Sequence, residues 1–183
     1  MASPLQDGSD FPIRNFSDCH VGIVKALGEL GGLPDMIENA RRGREVAGHL
    51  LAYFQDVVLT HHREEEDQLF PAVQASAVPG DERDKIDMAV ALLTAQHRKL
   101  EAGLKQVEPA LKAAAKGADA EIDAGSVARL VEDYLAHARY EEQVFLPLAQ
   151  TILGRDSHHM AALGLSLHVR HASKDMMRRF NPL

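Results

Sequence analysis

HHREEEDQLFP, residues 61–71, packs two histidines, three glutamates and an aspartate into one short stretch. A second stretch, HARYEEQVFLP at residues 137–147, has the same frame, H-x-x-x-E-E-x-x-x-x-P. The leading histidines, both glutamates and the prolines of the two stretches are each related by an offset of 76 residues. A lone histidine stands upstream of each stretch, His20 before the first and His97 before the second, 77 residues apart. This is an internal repeat of a helix pair. Two such pairs facing each other bring four helices to one point.

The helical reading comes from the spacing of apolar residues. From residue 45 to 73, Ala47, Leu50, Phe54, Val57/Val58, His61, Glu65 and Leu69 follow the 3.6-residue period. The turn signal SAVPGDE, residues 76–82, separates this helix from a third, on which Ile86, Val90, Leu93, His97, Leu100, Leu104 and Leu111 share a face. AAAKGADAE breaks that helix near Gly117. A fourth opens at Ala124 to Ser126, with Val127, Leu130/Val131, Tyr134, His137, Glu141, Val144/Phe145 and Leu148 on one side. The first helix opens at Ser17 or Asp18 as N-cap and is expected to stop at Gly31-Gly32-Leu33-Pro34, with a short helical turn after it. No segment alternates with period two. The expected fold is all-α: an antiparallel up-down-up-down four-helix bundle with an additional C-terminal helical segment. Residues 1–15 read as an N-terminal arm, 16–153 as the bundle and 154–183 as a C-terminal helical extension of the same domain.

Periodicity also decides which polar groups point inward. Residues four apart on a helix lie one above the other, so His61/Glu65 and His137/Glu141 each aim two donors at one spot. Both pairs lie in apolar stripes, and His20 and His97 fall on the apolar faces of their own helices. A carboxylate on a core face must be protonated, ion-paired or metal-bound, because stranding its charge there costs several kcal/mol. A single H-x-x-x-E pair is ordinarily an exposed polar pair, but a solvated face has no reason to recur in register with a proline and an upstream histidine. The economical reading is a metal centre. Imidazole and carboxylate without thiolate suit iron, with zinc or manganese as alternatives. Four imidazoles, two bridging carboxylates and an oxo or hydroxo bridge leave open positions on a pair of octahedral ions, where O2, NO, peroxide or water can bind.

The bulk numbers exclude other classes. At 183 residues, with 45% hydrophobic and 26% charged content, the chain suits one domain with a proper core. A net charge of -7 and the absence of any Lys/Arg block longer than two argue against nucleic acid. The single cysteine, Cys19, rules out an intramolecular disulfide and a multi-thiolate metal site. No leader pattern and no span-length apolar run occurs, so no membrane partner is expected and a cytoplasmic location is. Nothing in the sequence sets an oligomeric state.

The ordered set H…HxxxEE…LFP…H…HxxxEE…P resembles the hemerythrin-like, or HHE cation-binding, family over residues 17–150. The resemblance implies a four-helix bundle around a non-haem di-iron site bridged by two carboxylates, with His20, His61, Glu65, His97, His137 and Glu141 as ligands. Oxygen-carrying hemerythrins have an H-x-x-x-H pair on the third helix. Here HRKLE, residues 97–101, ends in Glu101, so the fifth imidazole is missing and reversible oxygen carriage is in doubt. Glu101 is either a third carboxylate donor or a solvated side chain.

The expected function is a di-iron protein that binds or senses a small ligand such as O2, NO or peroxide. The alternatives are a di-iron enzyme acting on peroxide or NO, iron storage or delivery for iron–sulfur cluster repair, and a metal-free interaction protein. His62 and Glu66 lie about 100° off the core line and read as surface or supporting groups. Glu66 and Glu142 are either acceptors for a ligand imidazole N–H or solvated. Tyr134 reads as packed core, Cys19 as a small packed residue, and Pro71 and Pro147 as ending or bending their helices beyond the site. His158, His159, His168 and His171 read as scattered surface groups.

Overall fold

The longest uninterrupted apolar period belongs to residues 81–115, where Ile86, Ala89, Leu93, His97, Leu100, Leu104, Val107 and Leu111 recur every three or four positions and are all buried. In the computed structural model, which describes residues 10–155 and their side chains from residue 20, this segment is one helix. The elements in order are α1 (Asp10–Tyr53), a π-helical turn π1 (Phe54–Val58), α2 (Leu59–Glu64), π2 (Glu65–Leu69), α3 (Phe70–Ser76), α4 (Asp81–Ala115), α5 (Ala124–Tyr140), π3 (Glu141–Phe145) and α6 (Leu146–Leu153). There is no strand among the described residues. No described helix is long and apolar enough to cross a membrane.

Contacts divide the chain into two units, Met1–Arg44 and Glu45–Leu183. In the first, α1 runs on through Gly31-Gly32-Leu33-Pro34, which corrects the expected break. Proline in a helix orphans the carbonyl four residues back. Around Leu30 that group meets water, since Leu30, Leu33, Met36 and Ile37 are all exposed. Helix has also begun at Asp10, inside the segment expected as an arm. The C-terminal histidines expected at the surface lie outside the described residues.

In the second unit the helical segments join into three rods: the end of α1 through α3, then α4, then α5 through α6. Gly80, at φ 102°, makes the tight turn into α4 that only glycine adopts without strain. The Glu82 carboxylate accepts from the Val78 N–H at 2.7 Å and so fixes the entry to the helix. Gly117, at φ 72°, ends α4, with the Ala118 N–H donating to the Ala113 carbonyl at 3.0 Å. The Asp123 side chain caps α5 by accepting from the Ser126 N–H at 2.7 Å. Short connections make neighbouring rods antiparallel: Ala47 packs with Val107 and Leu111, whereas Phe70 and Val73 pack with Ile86, Ala89 and Leu93. Two apolar clusters result. His97 and Leu100 lie between them along α4, and that interval is where the polar centre sits.

Candidate metal centre

Glu65 and Glu141 each open a π-helical turn, π2 and π3, at equivalent positions of the repeat. Pro71 and Pro147 follow those turns within the first turn of α3 and α6. A proline ring presses on the carbonyl one turn earlier, and a widened turn relieves that pressure. The two prolines therefore continue their helices to Ser76 and Leu153, rather than ending them.

π1 has no counterpart in the second half, because α5 is α-helical from Ala124 to Tyr140. The extra residue it inserts advances the inward-facing position by one. His62 thus takes the place that an unbroken helix gives to His61, correcting its assignment to the surface. His62 is 1% exposed, His97 0%, His137 1%, Glu65 2% and Glu141 7%. The His61 side chain remains 36% exposed. π2 shifts the register again, so Phe70 rather than Leu69 fills the core.

The donors form two groups, each with ligand atoms within 4.8 Å of one another: His62, His97 and His137, and His61, Glu65 and Glu141. Glu65 reaches both. Its Oε1 lies 3.1 Å from His61 Nε2, and its Oε2 lies 3.3 Å from His97 Nε2. His137 Nε2 is 3.8 Å from Glu141 Oε2. The outer ring nitrogens are held from behind: His97 Nδ1 lies 2.8 Å from Glu66 Oε1, and His137 Nδ1 lies 3.1 Å from Gln96 Oε1. Arg98 binds Glu66 in turn and donates to Glu101 at 3.0 Å. Carboxylate support of this kind fixes the orientation of a metal-binding imidazole. Glu66→Gln is therefore expected to weaken cation binding by about 10–100-fold without unfolding the protein, as read by metal titration alongside circular dichroism.

Burial, with the nearby positive charge of His97 and His137, holds the His62 pKa down at about 3. Burial likewise lowers His137 to about 4. Burial and the hydrogen bond and charge of Glu65 push Glu141 up to about 9. Burial acts to raise Glu65 too, but the His97 imidazole and the Glu141 carboxyl beside it and the charge of His61 prevail and hold it at about 2. The two buried carboxyls thus share one proton. For the metal-free protein, His62 and His137 make the unfolded chain the better proton acceptor from about pH 3 to 6.5, so stability rises with pH there. Glu141 acts in the opposite sense: its contribution is complete below pH 4.5 and is lost as pH rises through about 9. The melting temperature in chelator is expected to peak near pH 6.5 and fall on both sides, as measured by thermal unfolding across that range.

Of the residues singled out in the sequence, His61, Glu65, His97, His137 and Glu141 lie together. His20 is exposed in the first unit. Glu101 is half-buried, with its Oε1 at 3.6 Å from His62 Nδ1 and at 3.0 Å from Arg98. It stands at the edge of the cluster, outside both donor groups. Glu66 is an imidazole acceptor, whereas Glu142 is exposed. The Tyr134 ring packs 5.8 Å from that of His137, and burial pushes its phenol up to about 12. The Cys19 side chain is outside the described region. Sequence reading missed His62 because a π-turn has no period of its own. The doubled histidine at 61–62 was the available signal.

Both ring nitrogens of His62, Glu65 Oε2, His97 Nε2 and His137 Nε2 are buried without a hydrogen-bond partner. Burying a polar atom unsatisfied costs about 1–3 kcal/mol, so five in one place call for a common partner. Each of the four side chains offers a lone pair to a cation, His62 through one ring nitrogen while the other carries its proton. Fold and site together define a helical protein whose core carries an imidazole–carboxylate group fit to hold a metal cation. The family model of the hemerythrin HHE cation binding domain matches residues 12–149, and again 88–166. The chain belongs to that family. No curated protein and no solved structure matches it.

Proposed function

We propose that this protein holds two iron ions in the hemerythrin-like manner and uses their open positions to bind or sense a small ligand such as O2, NO or peroxide. The observation that carries this reading is the set of buried imidazole and carboxylate atoms with no partner of their own. Bound iron supplies Lewis acidity and reversible one-electron chemistry. The chain supplies the rest: Glu66 and Gln96 orient two imidazoles, Glu65 spans the two donor groups, and Phe70 and Phe145 keep water from one side. A groove of about 490 Å³, lined by Phe54, Leu104 and Leu111 and reaching Glu66, Arg98 and Glu101, supports access for a small ligand from the other side.

The four-helix form of the bundle belongs to this proposal. Its support is the apolar row of the first unit, in which Val24, Leu27 and Leu30 are exposed. In that form His20 is a ligand, and His20→Ala is expected to weaken iron retention against a chelator at least ~10-fold. Unchanged retention would remove His20 from the site. The reading as a whole is tested on protein purified from iron-supplemented cells, by elemental analysis with absorption spectra before and after reduction and after NO addition. A pair of irons per chain, with a charge-transfer band that changes on adding NO, is the expected result. Iron-free protein that takes up none on reconstitution would overturn it.

A further inference from the structure

The donor atoms are not distributed evenly. We propose that His62 is a cation ligand of the centre, in an all-imidazole half formed with His97 and His137. The inference rests on reading the cluster as a metal centre, but it adds a ligand outside the set of His20, His61, Glu65, His97, His137 and Glu141.

His62 is as deeply buried as His137, and neither of its ring nitrogens has a hydrogen-bond partner. Its ring lies parallel to that of His97, with centroids 4.0 Å apart and planes 6° from parallel. The ring of His137 stands edge-on to both, at 5.7 Å from His62 and 4.9 Å from His97. A histidine that only filled space would turn one nitrogen to an acceptor, since burying both unsatisfied is costly. The carboxylate oxygen nearest to it, Glu101 Oε1, is 3.6 Å away and already accepts from Arg98. What His62 does have within reach is a ligand nitrogen of each of two other imidazoles, whose Nε2 atoms are themselves unsatisfied. The ligand atoms of the three imidazoles lie within 4.8 Å of one another; once the stacked His62 ring turns out of parallel with that of His97, three imidazoles without a thiolate or carboxylate of their own are a coordination set for a borderline divalent ion such as Fe2+, Co2+ or Zn2+.

The other half is chemically different. His61, Glu65 and Glu141 bring two carboxylates and one imidazole, a harder set suited to a more highly charged or oxygen-preferring ion. Glu65 links the halves, its two oxygens facing His61 and His97 respectively. The imidazole that the third helix lacks at Glu101 is thus replaced by one from the first rod, delivered by the extra residue of π1.

The test uses Co2+ as probe on the full-length, metal-free protein, counting bound metal after desalting and recording the cobalt absorption. The wild type is expected to bind two equivalents and His62→Phe one, with loss of the cobalt bands of the nitrogen-rich half. His62→Gln, which keeps polarity and approximate volume, is expected to behave the same way, and covers the case in which the phenyl ring does not fit. Glu141→Gln is expected to lose the other equivalent and to keep those bands. Two equivalents and unchanged bands in a folded His62 variant would overturn the role of His62 while leaving the metal centre intact. No cobalt in the wild type would overturn both.

Discussion

Glu65→Ala is expected to abolish cation binding at both halves of the centre, a larger effect than any other single substitution there. Glu65 faces both donor groups at close range, with oxygens 3.1 Å from His61 and 3.3 Å from His97, whereas Glu141 lies 3.8 Å from His137. Removing a carboxylate that merely orients a ligand costs about 10–100-fold in affinity, so removing one that spans two sites is expected to exceed that for each. Isothermal titration with Fe2+ under anaerobic conditions reads the loss. A metal-free comparison separates coordination from folding: without Glu65, Glu141 loses the hydrogen bond and charge that help to raise it, and its titration moves toward the ordinary carboxylate range. A variant that still binds one ion tightly would place Glu65 in only one half.

Phe145→Ala is expected to cost about 3–5 kcal/mol of stability, read as a lower denaturant midpoint. Phe145 is fully buried and meets Phe70 edge-to-face, with centroids 5.1 Å apart and planes at 84°. Phe70 in turn stacks on His97 at 5.9 Å, so the cavity opens one ring away from the centre. Its neighbour Val144 is 46% exposed, and Val144→Ala is expected to stay within about 0.5 kcal/mol of the parent. The contrast tests the register that π3 imposes, since the apolar stripe in the sequence accommodates either residue.

Much of the centre was legible because its signals are local. The buried face of α4 is a strict three-and-four spacing, so Leu93, His97, Leu100 and Leu104 could be placed inward from their positions alone. The caps at Asp123 and Gly117 likewise involve residues only a few positions apart. The π-turns are different in kind. An inserted residue rotates everything downstream by about 100° without altering any local propensity, and only packing between rods decides whether the insertion is kept. For that reason His62 joined His61 in the centre, and Phe70 is buried more deeply than Leu69. The path of α1 through Pro34 escaped for a related reason: a proline forbids one hydrogen bond, and the surroundings determine whether water can replace it.

The sequence by itself determined the helical class, the duplicated H-x-x-x-E-E frame and the inward placement of Glu65, His97, His137 and Glu141, because residues at fixed spacing on a helix have no freedom about which side they occupy. Only the tertiary structure decided that His62 completes an imidazole trio and that Glu65 faces two groups at once. Those facts depend on how turns of different pitch bring separate rods together, a distance that no spacing along one chain segment encodes.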